Sequence, residues 1–472
     1  MIKHLLAIPI LAAALCPPVR PAIAWHSCED TRLAAAGARC GEIRVPLDYQ
    51  GDRTISVAVA RRPATGHKRG ALMVNNGGPG PSLDAVLLDG PLAAQYDLIA
   101  IDPRFFGRST PLECGWTTGD YLRSAQFASP DRPAFEQSVA AAKSLAARCA
   151  PDRELLPHGS TRNIARDLDA VRAALGEPRI SYLGWSYGGY LGAVYLQMFP
   201  GRADRVVLDS PVGPDAYGPA LTRETGPADA AALADWATWA AVHNGQLGAT
   251  AADVLSTVDE IAARTPFRLG EYRIDAAMLP GLLLTAVDSD AFYAELTAQV
   301  RVLRDAARGL AVTPTPDQAE RLALYRSQDV VAEFGFSAGV ANRCADRAAA
   351  RDPETYWRDM EAHRAAEPFF GSLARQITPC AFWPAQPAEP PTRVDVTHSA
   401  LVVGATGDPA APYPGQQAMH GVIHGSRMVT LGGAFRHGVY RSEGTQCVGD
   451  LVERYLLDGM LPGGDVTCAR PA

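Results

Sequence analysis

Ile180-Ser181-Tyr182-Leu183-Gly184-Trp185-Ser186-Tyr187-Gly188-Gly189-Tyr190-Leu191-Gly192 is the stretch on which the fold turns. Its first six residues form a short apolar run of the kind that makes a buried strand, and Tyr187–Phe199 continues as a mostly apolar helix. Between them stands Gly184-x-Ser186-x-Gly188. A serine held on a sharp strand-to-helix turn needs small residues two before and two after it, because the neighbouring chain must come close. The same five residues in an arbitrary loop would mean little. With a strand before and a helix after, they make Ser186 a candidate nucleophile at the end of a strand.

Working outward, the first half of the chain alternates strands with helices. Strand-like runs stand at 42–49, 55–61, 71–75, 97–101, 180–185 and 205–209, with helical patterns over 133–149 and 161–175. Pro133 opens the first helix where a missing N–H costs nothing, and Gly176 closes the second. Strands separated by helices imply an α/β fold, a mainly parallel sheet covered on both faces. After Asp209 the pattern turns helical (228–243, 251–264, 290–307), with few convincing strands. A Pro-rich connection at 379–391 follows, and then the alternation resumes with a strand at 399–404, a helix near 415–423, a strand at 427–431 and a last helix at 447–457. The expected division is therefore a signal peptide over 1–24, an α/β core made of 25–210 and 396–472, and a helical lid inserted at 211–395.

A serine at its own pKa is a poor nucleophile and needs a base within reach, itself oriented by an acid. On this architecture both follow the serine, acid first. His437 comes after the strand ending at Leu431 and the Gly432-Gly433 turn, where a base belongs; His420 and His424 sit on or near the preceding helix, and His398 precedes a strand. Asp408 follows the strand at 399–404, at the carboxyl end where ligand-facing loops gather. Asp209 is the rival acid. The oxyanion hole is expected from the backbone N–H of Tyr187 together with that of Gly78 in Asn75-Asn76-Gly77-Gly78-Pro79-Gly80. That glycine-rich loop lacks the lysine and spacing of a phosphate loop. The arginines of Asp102-Pro103-Arg104-Phe105-Phe106-Gly107-Arg108-Ser109 read as structural.

The chain has 472 residues and a formal net charge of -7, with no basic stripe to displace counterions from nucleic acid. Its amino terminus has a short basic start, an apolar run from Leu5 to Leu15 that is too short to span a bilayer, and Ala22-Ile23-Ala24. This reads as export with cleavage near Ala24 and no stable membrane association. Once Cys16 is removed with the leader, eight cysteines remain: Cys28, Cys40, Cys114, Cys149, Cys344, Cys380, Cys447 and Cys468. An even number in an exported chain points to disulfides. Sequential pairing is the simplest arrangement, though spacing alone leaves the connectivity open. No C-x-x-C or H-E-x-x-H occurs, so no metal is expected, and no cofactor.

Together these motifs resemble the secreted tripeptidyl aminopeptidase family of actinobacteria, within the proline-iminopeptidase-like α/β-hydrolases with a TAP-like C-terminal region. The resemblance rests on Val45–Tyr49, Asn76–Gly80, Asp102–Ser109, Gly184–Gly192, Val206–Asp209, Gly407–Tyr413 and the tail from Tyr455 to Cys468. It implies the α/β-hydrolase fold with a large helical lid, Ser186, Asp408 and His437 as triad, and it supports sequential disulfides. Four departures stand out: Asn75-Asn76 where the family has Asn-Pro, Pro81 and Phe105 where it has glycine, and Ala434-Phe435-Arg436 between the turn and His437. The implied function is release of di- or tripeptides or single residues from free N-termini, with short peptides or small molecules as partners and the oligomeric state left open. An esterase or amidase using the same triad is the alternative, and a non-catalytic peptide-binding protein a further one. An exopeptidase also needs a carboxylate for the substrate's α-ammonium, and Glu224, Asp229, Glu295 and Glu333 are candidates.

Overall fold

The computed structural model describes residues 22–243, 245–284, 288–330 and 335–470. The expected leader lies outside them up to residue 21, as does Glu333. Ten strands form one sheet, in the order β1-β2-β3-β5-β4-β6-β7-β11-β13-β14. They are β1 (Ala24–Ser27), β2 (Arg39–Pro46), β3 (Thr54–Arg62), β4 (Gly70–Asn75), β5 (Tyr96–Ile101), β6 (Ile180–Trp185), β7 (Ala203–Asp209), β11 (Ala400–Ala405), β13 (Arg427–Gly432) and β14 (Val466–Ala469). Strands β1, β2, β3 and β5 pair antiparallel in turn, and from β5 onward every pairing is parallel. Short pairs complete the list: β8 (Phe267–Leu269) with β9 (Tyr272–Ile274), and β10 (Val396–Thr397) with β12 (Ile423–His424). This topology is that of an α/β-hydrolase.

Alternation along the strands builds two cores. In β4, Ala71 and Met73 enter one cluster while Leu72 and Val74 enter the other; β5 divides Ile99 and Ile101 from Leu98 and Ala100 in the same way. A strand buried on both faces therefore reads as an unbroken apolar run, which is why these strands were visible as such. The flanking helices start on side-chain caps. Asp131 accepts from Ala134 N ahead of Arg132–Arg148, and Ser160 from Asn163 N ahead of Thr161–Ala174.

Between β7 and β11 the chain is mainly helical and packs around its own apolar cluster, which includes Trp236, Val258, Leu282, Leu296 and Leu303. The β8–β9 hairpin in this region is too short for alternation to betray it. Strand β14 also escaped the sequence reading, because its four residues sit at the sheet edge. Among the described residues no helix is long and apolar enough to cross a membrane. The eight cysteines pair as Cys28–Cys40, Cys114–Cys149, Cys344–Cys380 and Cys447–Cys468. Four disulfides fit a protein that works outside the cytoplasm.

Candidate active site

Parallel strands deliver their carboxyl ends to one edge of the sheet, and register fixes which loops meet there. Asn75 pairs with Gly184, Trp185 with Asp209, Asp209 with Val403, and Ala405 with Leu431. The loops carrying Gly78, Ser186, Asp408 and His437 therefore leave the sheet side by side.

Ser186 has φ 57 and ψ -121, a strained conformation for a residue with a side chain. Its backbone N–H donates to Asp209 O at 2.9 Å, and its carbonyl accepts from Gly189 and Tyr190 as the helix Tyr187–Met198 begins. The glycines around it are sterically required. A Cβ at Gly188 would lie 2.7 Å from Asn75 O, and one at Gly77 would lie 3.0 Å from Ser186 Cβ. The glycine-rich loop is thus pressed against the serine. The Gly77 N–H donates to Asn75 Oδ1 at 3.0 Å, so its direction is already taken, whereas Gly78 follows at φ 104. Tyr187 keeps its ring buried with Thr161 and Asn342 on its hydroxyl, and its backbone N–H opens the helix behind the serine.

His437 Nδ1 lies 3.0 and 2.9 Å from the two oxygens of Asp408. Asp408 is buried, and its carboxylate also accepts from Ala410 N, Ala411 N and Gln416 Nε2. A carboxylate fixed by three other donors cannot turn away, so it holds the imidazole in one orientation and leaves Nε2 outside this pairing. Gln416 has no signature in the sequence, because its role depends on a helix that folds back over β11. Burial works against the charged form of His437. The Asp408 charge and hydrogen bond, with Asp288 and Asp209 behind them, outweigh it and raise the imidazole to about 9. Among the described residues no hydrogen bond within 3.5 Å joins Ser186 Oγ to His437, a contact that commonly tightens only with substrate bound.

Asp209, the rival acid, has another task. Buried at the end of β7, it accepts from Val439 N at 3.0 Å, Tyr440 N at 2.6 Å and Ser210 Oγ, while Ser210 Oγ accepts from Gly438 N. It ties the loop after His437 to the strand beside Ser186. His398, His420 and His424 lie elsewhere, against Asp204 O, Ser426 and Asp395.

The lid grips the same loop from the other side. His437 N donates to Asp288 O, Asp290 N to Phe435 O, and Ser289 bridges Arg436. The Arg436 guanidinium pairs with Asp290 at 2.5 Å, both side chains almost fully buried, and Arg470 reaches Asp290 at 2.9 Å. Phe435, Arg436 and His437 are thus where the lid docks. Two lid carboxylates face this region, Asp229, buried on the helix Thr225–His243, and the half-buried Asp288. Burial raises both, Asp229 to about 8, with the charges of Asp288 and Asp408 adding to the effect on Asp229. Glu224 is exposed and lines a cavity of about 740 Å³ that opens beside Asp408 and Phe435; Glu295 is exposed on the helix Tyr293–Ala307.

Arg104 is structural, as read. It is fully buried, forms two hydrogen bonds to Asp167 at 2.7 Å, and caps the carbonyls of Pro46, Leu47 and His158. Phe105 takes φ 75, the left-handed region that suits glycine, and its buried ring packs in the core.

A family model described as TAP-like protein matches residues 367–468. A tripeptidyl aminopeptidase of Streptomyces lividans is 32% identical over 97% of this chain and 88% of its own length. Serine protease Hip1 of Mycobacterium tuberculosis is 30% identical over 96% of this chain and 92% of its own. Carboxylesterase B of the same organism is 30% identical over 96% and 91%.

Proposed function

The chain belongs to the tripeptidyl aminopeptidase family and is a serine hydrolase of peptidase type, and on that premise we propose that it releases short peptides from free N-termini with Ser186, His437 and Asp408 as its triad. Ser186 Oγ attacks the scissile carbonyl while His437 Nε2 takes its proton; Asp408 stabilises the imidazolium that forms. Backbone N–H groups of Tyr187 and Gly78 receive the developing oxyanion. His437 then gives the proton to the leaving amine, and a water molecule, activated by the same nitrogen, releases the acyl group.

The observation that carries the exopeptidase reading is the pair of lid carboxylates, buried Asp229 and half-buried Asp288, within electrostatic range of His437 and Asp408. Buried carboxylates without a cation are costly, and a substrate's α-ammonium supplies one. The cavity of about 740 Å³ beside Asp408 suits a short peptide. Export with cleavage near Ala24 belongs to the same proposal, and amino-terminal sequencing of the mature protein tests it.

Matched tripeptide amides with free and acetylated N-termini test the function. The free amine is expected to be preferred by about 10- to 100-fold in kcat/KM, the worth of a charge-assisted hydrogen bond, and Asp229→Asn to shrink that preference. Equal rates on both would overturn aminopeptidase action. The similarity to a carboxylesterase favours the second reading, hydrolysis of small esters by the same triad. Fast turnover of acyl esters with no peptide cleavage would establish it instead.

A further inference from the structure

A second cavity, of about 60 Å³, lies against the helix Phe336–Asp346 and is lined by Tyr121, Gly218, Thr222, Arg343, Gln376 and Thr378 among others. Val340 and Arg343, three residues apart on one face of the helix, both line it. The neighbouring stripe of that helix faces the core: Gly339 abuts Pro79 O beside the candidate oxyanion loop, and Asn342 reaches the Tyr187 hydroxyl. Arg343 is four residues past Gly339, about 6 Å along the axis.

The polar groups around this cavity are unmatched. The Arg343 guanidinium carries five N–H donors and stays charged. It makes only two long hydrogen bonds, Nε to Gly339 O at 3.3 Å and Nη2 to the Tyr121 hydroxyl at 3.4 Å. Among the described residues no carboxylate pairs with it. Gln376 is nine-tenths buried; its Nε2 is committed to Ala125 O at 2.7 Å, which leaves Oε1 as an acceptor with no partner. Thr378 Oγ1 is likewise buried and unpartnered. Buried polar groups left this way carry a standing cost.

A ligand that satisfies all three must bring an anion for Arg343 and the Thr378 hydroxyl, and an N–H for Gln376 Oε1. The last residue of a peptide carries both on one Cα, its carboxylate and its amide N–H. The volume, room for about four to six water molecules, admits such an end and little more. We propose that Arg343, Thr378 and Gln376 form a subsite for the C-terminal carboxylate and adjoining amide N–H of a short peptide substrate. This rests on the peptidase reading above, and it makes the chain a reader of both ends of its substrate.

The test compares tetrapeptides with a free N-terminus ending in a carboxylate or in an amide, on the full chain and on Arg343→Met and Arg343→Lys. The acid is expected to be favoured by about 10- to 100-fold in kcat/KM. That ratio should fall to near one in Arg343→Met and be partly kept in Arg343→Lys. Equal rates on acid and amide in the wild type, or a ratio that survives Arg343→Met, would overturn the subsite. Thermal shift with N-acetylglycine against N-acetylglycinamide reads the subsite without turnover. Selective stabilisation by N-acetylglycine, lost in Arg343→Met, would support it even if no peptide were cleaved, and that outcome would count against the peptidase reading alone. No selective stabilisation would count against the subsite itself.

Discussion

The loop that carries His437 is held from two sides by different means. On the core side, Asp209 at the end of β7 accepts two backbone N–H groups from residues 439–440, and Ser210 accepts a third from Gly438. On the lid side, residues 435–437 exchange backbone hydrogen bonds with Asp288 and Asp290, and Arg436 buries its charge against Asp290. The core hold binds the histidine to the strand next to the nucleophile and is part of the same sheet. The lid hold binds it to a separate helical layer with its own apolar cluster. His437, the proposed base, thus stands at the seam between sheet and lid, held by both.

The largest effect should come from the acid between these holds. Asp408→Asn loses the acceptor that fixes the imidazole tautomer, and kcat should fall by about 10³- to 10⁴-fold with the fold intact by circular dichroism. A loss below tenfold would return Asp209 to consideration as the acid. Next, Asp209→Ala leaves three buried donors without their acceptor and should cost about 1–3 kcal/mol of stability in urea unfolding, with kcat falling as the loop loosens. Arg436→Met removes the ion pair of the lid hold, leaving its backbone hydrogen bonds, while Asp290 keeps Arg470. It should cost about 1–2 kcal/mol and lower kcat/KM by about tenfold through misplacement of the base. If both holds act on one loop, Asp209→Ala and Arg436→Met will be non-additive in kcat; additive effects would mean that the lid does not position the histidine.

The smallest effect concerns pH. His437 is raised to about 9 by Asp408, Asp288 and Asp209 against its burial. Its neutral form is the base, so kcat/KM should rise with pH through that region, and Asp288→Asn should move this acid limb to lower pH. The same shift acts on stability with a definite sign. The folded value lies above the ~6.5 of an unfolded histidine, so the ion pair stabilises fully below about pH 6.5, and its contribution is lost as pH rises through about 9. Thermal midpoints across pH 6 to 10 check it.

The core side was legible because each of its pieces is local. Buried strands are apolar runs, Gly184 and Gly188 flank the serine for a steric reason, and Asp408 and His437 follow their strands within a few residues. The lid side was not legible. Arg436 and Asp290 lie 146 residues apart, and nothing in Ala434-Phe435-Arg436 announces a docking strand; the same three residues read only as a departure from the family pattern. Asp229 stood among four candidate carboxylates, and only its burial among the lid helices separates it from exposed Glu224 and Glu295. Gln416 and Arg343 had no local signal, since each owes its environment to chain folded back from elsewhere. Phe105 shows the limit from the other direction: its substitution for glycine was visible, but its positive φ and buried ring were not.

Labelling the purified chain with a fluorophosphonate and locating the adduct by peptide mass spectrometry tests the central claim most directly. A single adduct on the peptide containing Ser186, absent from Ser186→Ala and strongly slowed in Asp408→Asn, is the result this account requires. No adduct, or one on another serine that persists in Ser186→Ala, would contradict it.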